Sequence, residues 1–135
     1  MTDHEKATIL IVDDEPAIVS FAEQVLTRAG YRTVCAPNGA EGLRLAESLG
    51  DFDLLVTDLV MPDVMGDELA RRLRQRLPDL KVLYLTGYSE RLFRQRAALW
   101  ADEAFLDKPT TMKGLLEAVS LLLSGHIPPP DAGGR

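Results

Sequence analysis

Two stretches in the middle of the chain, Leu54-Leu55-Val56 and Val82-Leu83-Tyr84-Leu85, are apolar at every position. A strand with one face in water alternates apolar and polar residues, so an unbroken run marks a strand covered on both faces. Such strands require helices on both sides of a mostly parallel sheet. The rest of the chain supplies them. Short apolar runs at 8–12, 31–36, 53–57, 81–85 and 103–106 alternate with longer segments of helical period, which makes five βα units.

The first helix is marked by Ile18, Phe21, Ala22, Val25 and Leu26 at helical spacing, with Gly30 as its stop. A second is expected over 39–49 and a third over 66–77, with Leu69, Leu73 and Leu77 inward and Pro78 just past its end. A fourth is expected over 89–100. The last shows a stripe of Met112, Leu115, Leu116, Val119, Leu122 and Leu123, with Lys113, Glu117 and Ser120 off it, and is expected to pack on the sheet. The eleven residues from Gly125 to Arg135 include three consecutive prolines and little to bury, and are expected to form a flexible tail or linker stub.

A chain of 135 residues can close one core, and 46% apolar with 27% charged residues suits a packed fold. Its net charge of -6 opposes attraction to nucleic acid or anionic membranes, and no apolar run is long enough to span a bilayer. No direct nucleic-acid or membrane partner is expected. Arg71, Arg72, Arg74 and Arg76, and again Arg91, Arg94 and Arg96, read as solvated helix faces. Cys35 is the only cysteine, which rules out an internal disulfide and fits a reducing cytoplasm. In its apolar run it is expected to be a buried, inert thiol. His4 and His126 read as solvated histidines.

In a parallel α/β sheet, functional groups gather at the carboxyl ends of the strands. Asp13 and Asp14 follow the first run, Asp58 the third, Thr86 the fourth and Lys108 the fifth. Three carboxylates in one place repel one another unless a cation sits among them. A hard divalent ion such as Mg2+ suits that role, because it prefers oxygen ligands and keeps waters that phosphate can replace. Lys108 adds a fixed positive charge and Thr86 a hydroxyl donor. A carboxylate in these surroundings can attack phosphorus to form an aspartyl phosphate. Asp58, alone at its strand end, suits the nucleophile, and the adjoining Asp13 and Asp14 suit the metal. Spacing by itself leaves that division open.

Four blocks, Ile9-Leu-Ile-Val-Asp-Asp-Glu-Pro16, Leu54-Leu-Val-Thr-Asp-Leu-Val-Met-Pro62 with Gly66, Leu85-Thr-Gly87 and Phe105-Leu-Asp-Lys-Pro109, occur in the order and spacing of response-regulator receiver domains, which the chain resembles from about Thr8 to Ser124. The resemblance implies a flavodoxin-like α/β fold, with a five-stranded parallel sheet in order 2-1-3-4-5 and helices on both faces. It divides the chain into an arm over 1–7, a receiver domain over 8–124 and the tail over 125–135.

By the same resemblance Asp58 is the phosphoacceptor and Asp14 a direct Mg2+ ligand. Asp13 lies near the metal through water, and the Val60 carbonyl completes the protein ligands. Lys108 becomes the phosphate-binding lysine, with a cis peptide to Pro109, and Thr86 the switch hydroxyl. Phe105 takes the switch-aromatic position, without the hydroxyl that Tyr brings there in other members. Ala101 stands where glycine is frequent, behind the bulky Trp100, which fits either core packing or a contact surface.

The expected function is a switch. A sensor histidine kinase or phosphotransfer protein donates a phosphoryl group to Asp58, and the changed surface alters binding to an output partner or a second copy through the fourth helix and fifth strand. The chain then catalyses only its own phosphorylation and dephosphorylation. A rival is a Mg2+-dependent phosphohydrolase of haloacid-dehalogenase type. Such enzymes carry Asp-x-Asp after the first strand, whereas this chain has Asp13-Asp14-Glu15 and no cap insertion. A second rival, an interaction module that works without phosphorylation, leaves the complete set of site side chains unexplained.

Overall fold

The computed structural model describes residues 7–87 and 102–124. The expected fourth helix, with Arg91, Arg94, Arg96, Trp100 and Ala101, lies outside the described residues, as do His4, His126 and the expected tail.

Five strands, β1 (Thr8–Val12), β2 (Arg32–Ala36), β3 (Leu54–Asp58), β4 (Lys81–Thr86) and β5 (Glu103–Asp107), form one parallel sheet in the order β2-β1-β3-β4-β5. The helices are α1 (Pro16–Arg28), α2 (Gly39–Leu49), α3 (Gly66–Arg74) and a C-terminal helix (Met112–Ser124). Every residue of β3 is buried, as its apolar run requires.

Alternate residues of the central strands feed two cores. Leu10, Val12, Leu55, Val82 and Tyr84 meet Ala46 of α2 and Leu69 and Leu73 of α3 on one face. Ile9, Ile11, Leu54, Val56, Leu83 and Leu85 meet α1 through Ala22, Val25 and Leu26, and the C-terminal helix through Leu115, Val119 and Leu122, on the other. Helices therefore cover both faces, as expected.

Several local expectations change. The third helix ends at Arg74 rather than at residue 77, because Pro78 disfavours helical backbone at Leu77 and the last turn tightens through Arg76 N–H to Leu73 O. Leu77 still packs against the core. Met112, the first residue of its helix, is 58% exposed despite its place in the apolar stripe.

Arg74 is not solvated, and Arg76, though exposed, is tied to backbone. Arg74 is nearly buried, with Nη1 2.6 Å from Glu103 Oε2 and two nitrogens donating to the Leu80 carbonyl, and it ties α3 to β5. Arg76 donates to the Gly50 and Ala46 carbonyls at 2.6 and 2.9 Å, closing the C-terminal end of α2. Arg71 and Arg72 do lie at the surface, where both pair with Glu68.

Candidate phosphoryl-acceptor site

The carboxyl ends of β1, β3 and β5 bring the expected charged groups together. Strands β3, β4 and β5 run one residue further than the apolar pattern predicts, so Asp58 and Thr86 are the last residues of their strands rather than the first beyond them. Carboxylate oxygens of Asp13, Asp14 and Asp58 lie within 4.8 Å of one another. Asp13 and Asp58 are buried, whereas Asp14 is exposed and opens the cluster to solvent.

Lys108 reaches into this cluster from the turn after β5. Its Nζ lies 3.0 Å from Asp13 Oδ2 and 3.3 Å from Asp58 Oδ2. The Lys108–Pro109 peptide is cis, as expected, and the Lys108 N–H donates to the Thr86 carbonyl at 2.9 Å. Thr86 is fully buried at the end of β4. Val60, two residues past Asp58, has its N–H 3.4 Å from Asp58 Oδ1.

Burial pushes the Asp13 carboxyl up to about 6, against the N–H of Glu15 and the Lys108 ammonium, which favour the charged form. Asp58 is raised as well, by burial first and with Asp14 adding repulsion, and Lys108 acts in the opposite direction. Burial pulls Lys108 down, but the Glu15 and Asp13 carboxylates beside it outweigh that and leave the ammonium above its ordinary range. One feature of this balance fits a metal. Asp13 Oδ2 is buried and accepts no well-directed hydrogen bond, although Lys108 stands 3.0 Å away. An all-oxygen set with an unsatisfied buried carboxylate oxygen suits a hard divalent cation.

Glu15 is a residue that pattern reading did not single out. Its Oε1 lies 2.6 Å from Lys108 Nζ, the shortest of the three contacts of that ammonium with carboxylates among the described residues. The available signal was its place directly after the acidic pair, yet its spatial neighbour is 93 residues away in sequence. Phe105 is half-buried and packs against the cluster that contains Tyr84, its partner in register on β4. Cys35 is half-buried, not buried, because β2 is an edge strand. Burial and the nearby Glu23 carboxylate push its thiol up to about 11, so it stays protonated.

The loop that follows Asp58 is held at two points. Asp63 accepts N–H groups of Gly39 and Ala40 at the start of α2, at 3.2 and 2.8 Å, and these backbone bonds hold its carboxyl below the usual range. Gly66 opens α3 directly beside the Asp58 carbonyl, with its own N–H donating to the Leu59 carbonyl at 2.7 Å.

A family model described as response regulator receiver domain matches residues 9–120. The sensor kinase CckA of Brucella abortus (strain 2308) is 37% identical over 118 residues, covering 87% of this chain and 12% of that protein. The response regulator receiver protein CpdR of the same strain is 34% identical over 116 residues, covering 85% of this chain and 95% of that one. The chain thus spans about an eighth of one relative and nearly all of another. Among solved structures, the response regulator TrrA from Thermotoga maritima in complex with Mg(2+)-BeF superposes with a TM-score of 0.74 at 36% identity, covering 87% of this chain and 99% of that one.

Proposed function

This chain belongs to the response regulator receiver domain family of two-component systems, and we propose that it is a phosphorylation-controlled switch that accepts a phosphoryl group on Asp58. The observation that carries this reading is the Lys108 ammonium placed beside both Asp13 and Asp58 in a cluster of three carboxylates.

An Asp58 carboxylate oxygen forms the new bond to phosphorus while the bond from phosphorus to the donor's leaving group breaks. Lys108 holds a phosphoryl oxygen as a point charge, and the Thr86 hydroxyl donates to another. Asp13, Asp14, Asp58 and the Val60 carbonyl would hold Mg2+, which when bound screens charge on the phosphoryl oxygens. Asp14, at the exposed end of the cluster, leaves the approach that a donor needs.

The donor is a sensor histidine kinase or phosphotransfer protein, and the chain acts on no substrate beyond its own phosphoryl group. We place it in the cytoplasm, as a receiver domain over 8–124 between an arm over 1–7 and a tail over 125–135. Among the described residues no helix is long and apolar enough to cross a membrane. Incubation with acetyl phosphate and Mg2+, followed by intact-mass measurement, tests the reading. A stable adduct supports it, turnover of added phosphoester would favour a hydrolase, and no adduct would favour a module that binds without phosphorylation.

Two further outcomes are expected. Mg2+ should stabilise the wild-type chain by about 1.4 kcal/mol at tenfold excess over Kd, because it binds the folded state alone. Asp14→Asn should lose most of that gain, and a thermal shift equal to wild type would move the metal away from Asp14. The readout of phosphorylation runs through Thr86 and Phe105. Drawing the Thr86 hydroxyl toward a phosphoryl oxygen vacates space for the Phe105 ring, which has no hydroxyl to favour an outward position, and re-presents β5 and the segment over 89–100 to an output partner or second copy. NMR shifts around Phe105 on adding beryllofluoride should therefore shrink in Thr86→Ala. Large, identical shifts in both proteins would remove Thr86 from the mechanism.

A further inference from the structure

Resting on the reading of Asp58 as phosphoacceptor, we infer that Glu15 is a positioning residue, one that keeps the Lys108 ammonium aimed at the phosphoryl group once its other two carboxylate contacts are taken up by the reaction. An ammonium has three N–H donors, and three carboxylates surround this one: Glu15 at 2.6 Å, Asp13 at 3.0 Å and Asp58 at 3.3 Å. Asp13 and Asp58 belong to the clustered carboxylates that suit a metal, and Glu15 does not. When Asp58 carries the phosphoryl group as an acyl phosphate and Asp13 faces the metal, Glu15 alone of the three remains to hold the lysine.

The main chain supports this placement. Asp13 Oδ1 accepts the Glu15 N–H at 2.9 Å, which fixes the start of the Glu15 side chain relative to the acidic pair. Glu15 occupies the N-cap of α1, but its side chain makes no capping hydrogen bond, so replacing it tests the contact with Lys108 rather than the helix.

A positioning role and a simple charge effect differ in sign. Removing a negative charge beside an anion site should tighten anion binding by electrostatics alone. Loss of the lysine's tether should weaken it. At saturating Mg2+, Glu15→Gln is expected to bind beryllofluoride about threefold to fivefold more weakly than wild type, the scale of a half-exposed ion pair. Equal or tighter binding would overturn the inference. In the metal-free protein, thermal melts of Glu15→Gln, Lys108→Met and the double variant should be non-additive, because the two side chains touch. Additive shifts would also overturn it. Beryllofluoride binding to wild type but not to Asp58→Asn is the control for the underlying reading. If wild type fails to bind, the phosphoacceptor assignment falls, and if wild type binds while Glu15→Gln matches it, only the role of Glu15 falls.

Discussion

Asp58→Asn is expected to take up no phosphoryl group from acetyl phosphate or phosphoramidate in Mg2+, while the wild-type chain is labelled. The amide has nearly the shape of the carboxylate but offers neither its charge nor its nucleophilic oxygen. The fold should survive. Asp58 is 6% exposed, and burial together with the Asp14 charge works against its ionised form, so a neutral group there relieves repulsion. A melting temperature at or above that of wild type, with labelling at background, is the expected pair of results. Asp13 and Asp14 remain in the variant as other carboxylates, which makes the measurement a test of assignment as well as of activity. An undiminished phosphate adduct would show that one of them is the acceptor.

Gly66→Ala should cost about 3 kcal/mol of stability, near the upper end of the range for overpacking. A Cβ on Gly66 would run into the carbonyl of Asp58 and crowd the backbone of Leu59, and backbone cannot give way as a flexible side chain does. The chain must then separate α3 from the end of β3 or displace Asp58 itself. Either response moves the loop that carries Val60, so Mg2+ binding should weaken along with the fold. The melting temperature is expected to fall by about 10 °C or more. A variant that melted within about 2 °C of wild type would mean that the close approach of α3 to Asp58 does not occur in solution.

Much of this architecture was legible in the residues. The unbroken runs at Leu54–Val56 and Val82–Leu85 required strands covered on both faces, and the helical stripes supplied the covering layers. Asp13, Asp14, Asp58 and Lys108 were recognisable because each closes or follows a strand. The apolar stripe misjudged Met112, since periodicity assigns a side to a residue without saying what packs against it there. The solvated-face reading also misjudged Arg74. A charged residue on a helix is ordinarily solvated, and only a partner from another element brings it inside.

The sequence by itself determined the layers of this protein and the residue types at its strand ends, because periodicity and turn chemistry act over a few neighbouring positions. The strand order came from resemblance to a family, and the sheet bears it out. Only the tertiary structure decided which charges share a partner. Lys108 stands 2.6 Å from Glu15 and 3.3 Å from Asp58, and Arg74 reaches Glu103 across 29 positions. Contacts of that kind depend on sheet register and helix placement, which bring together residues that no local pattern connects.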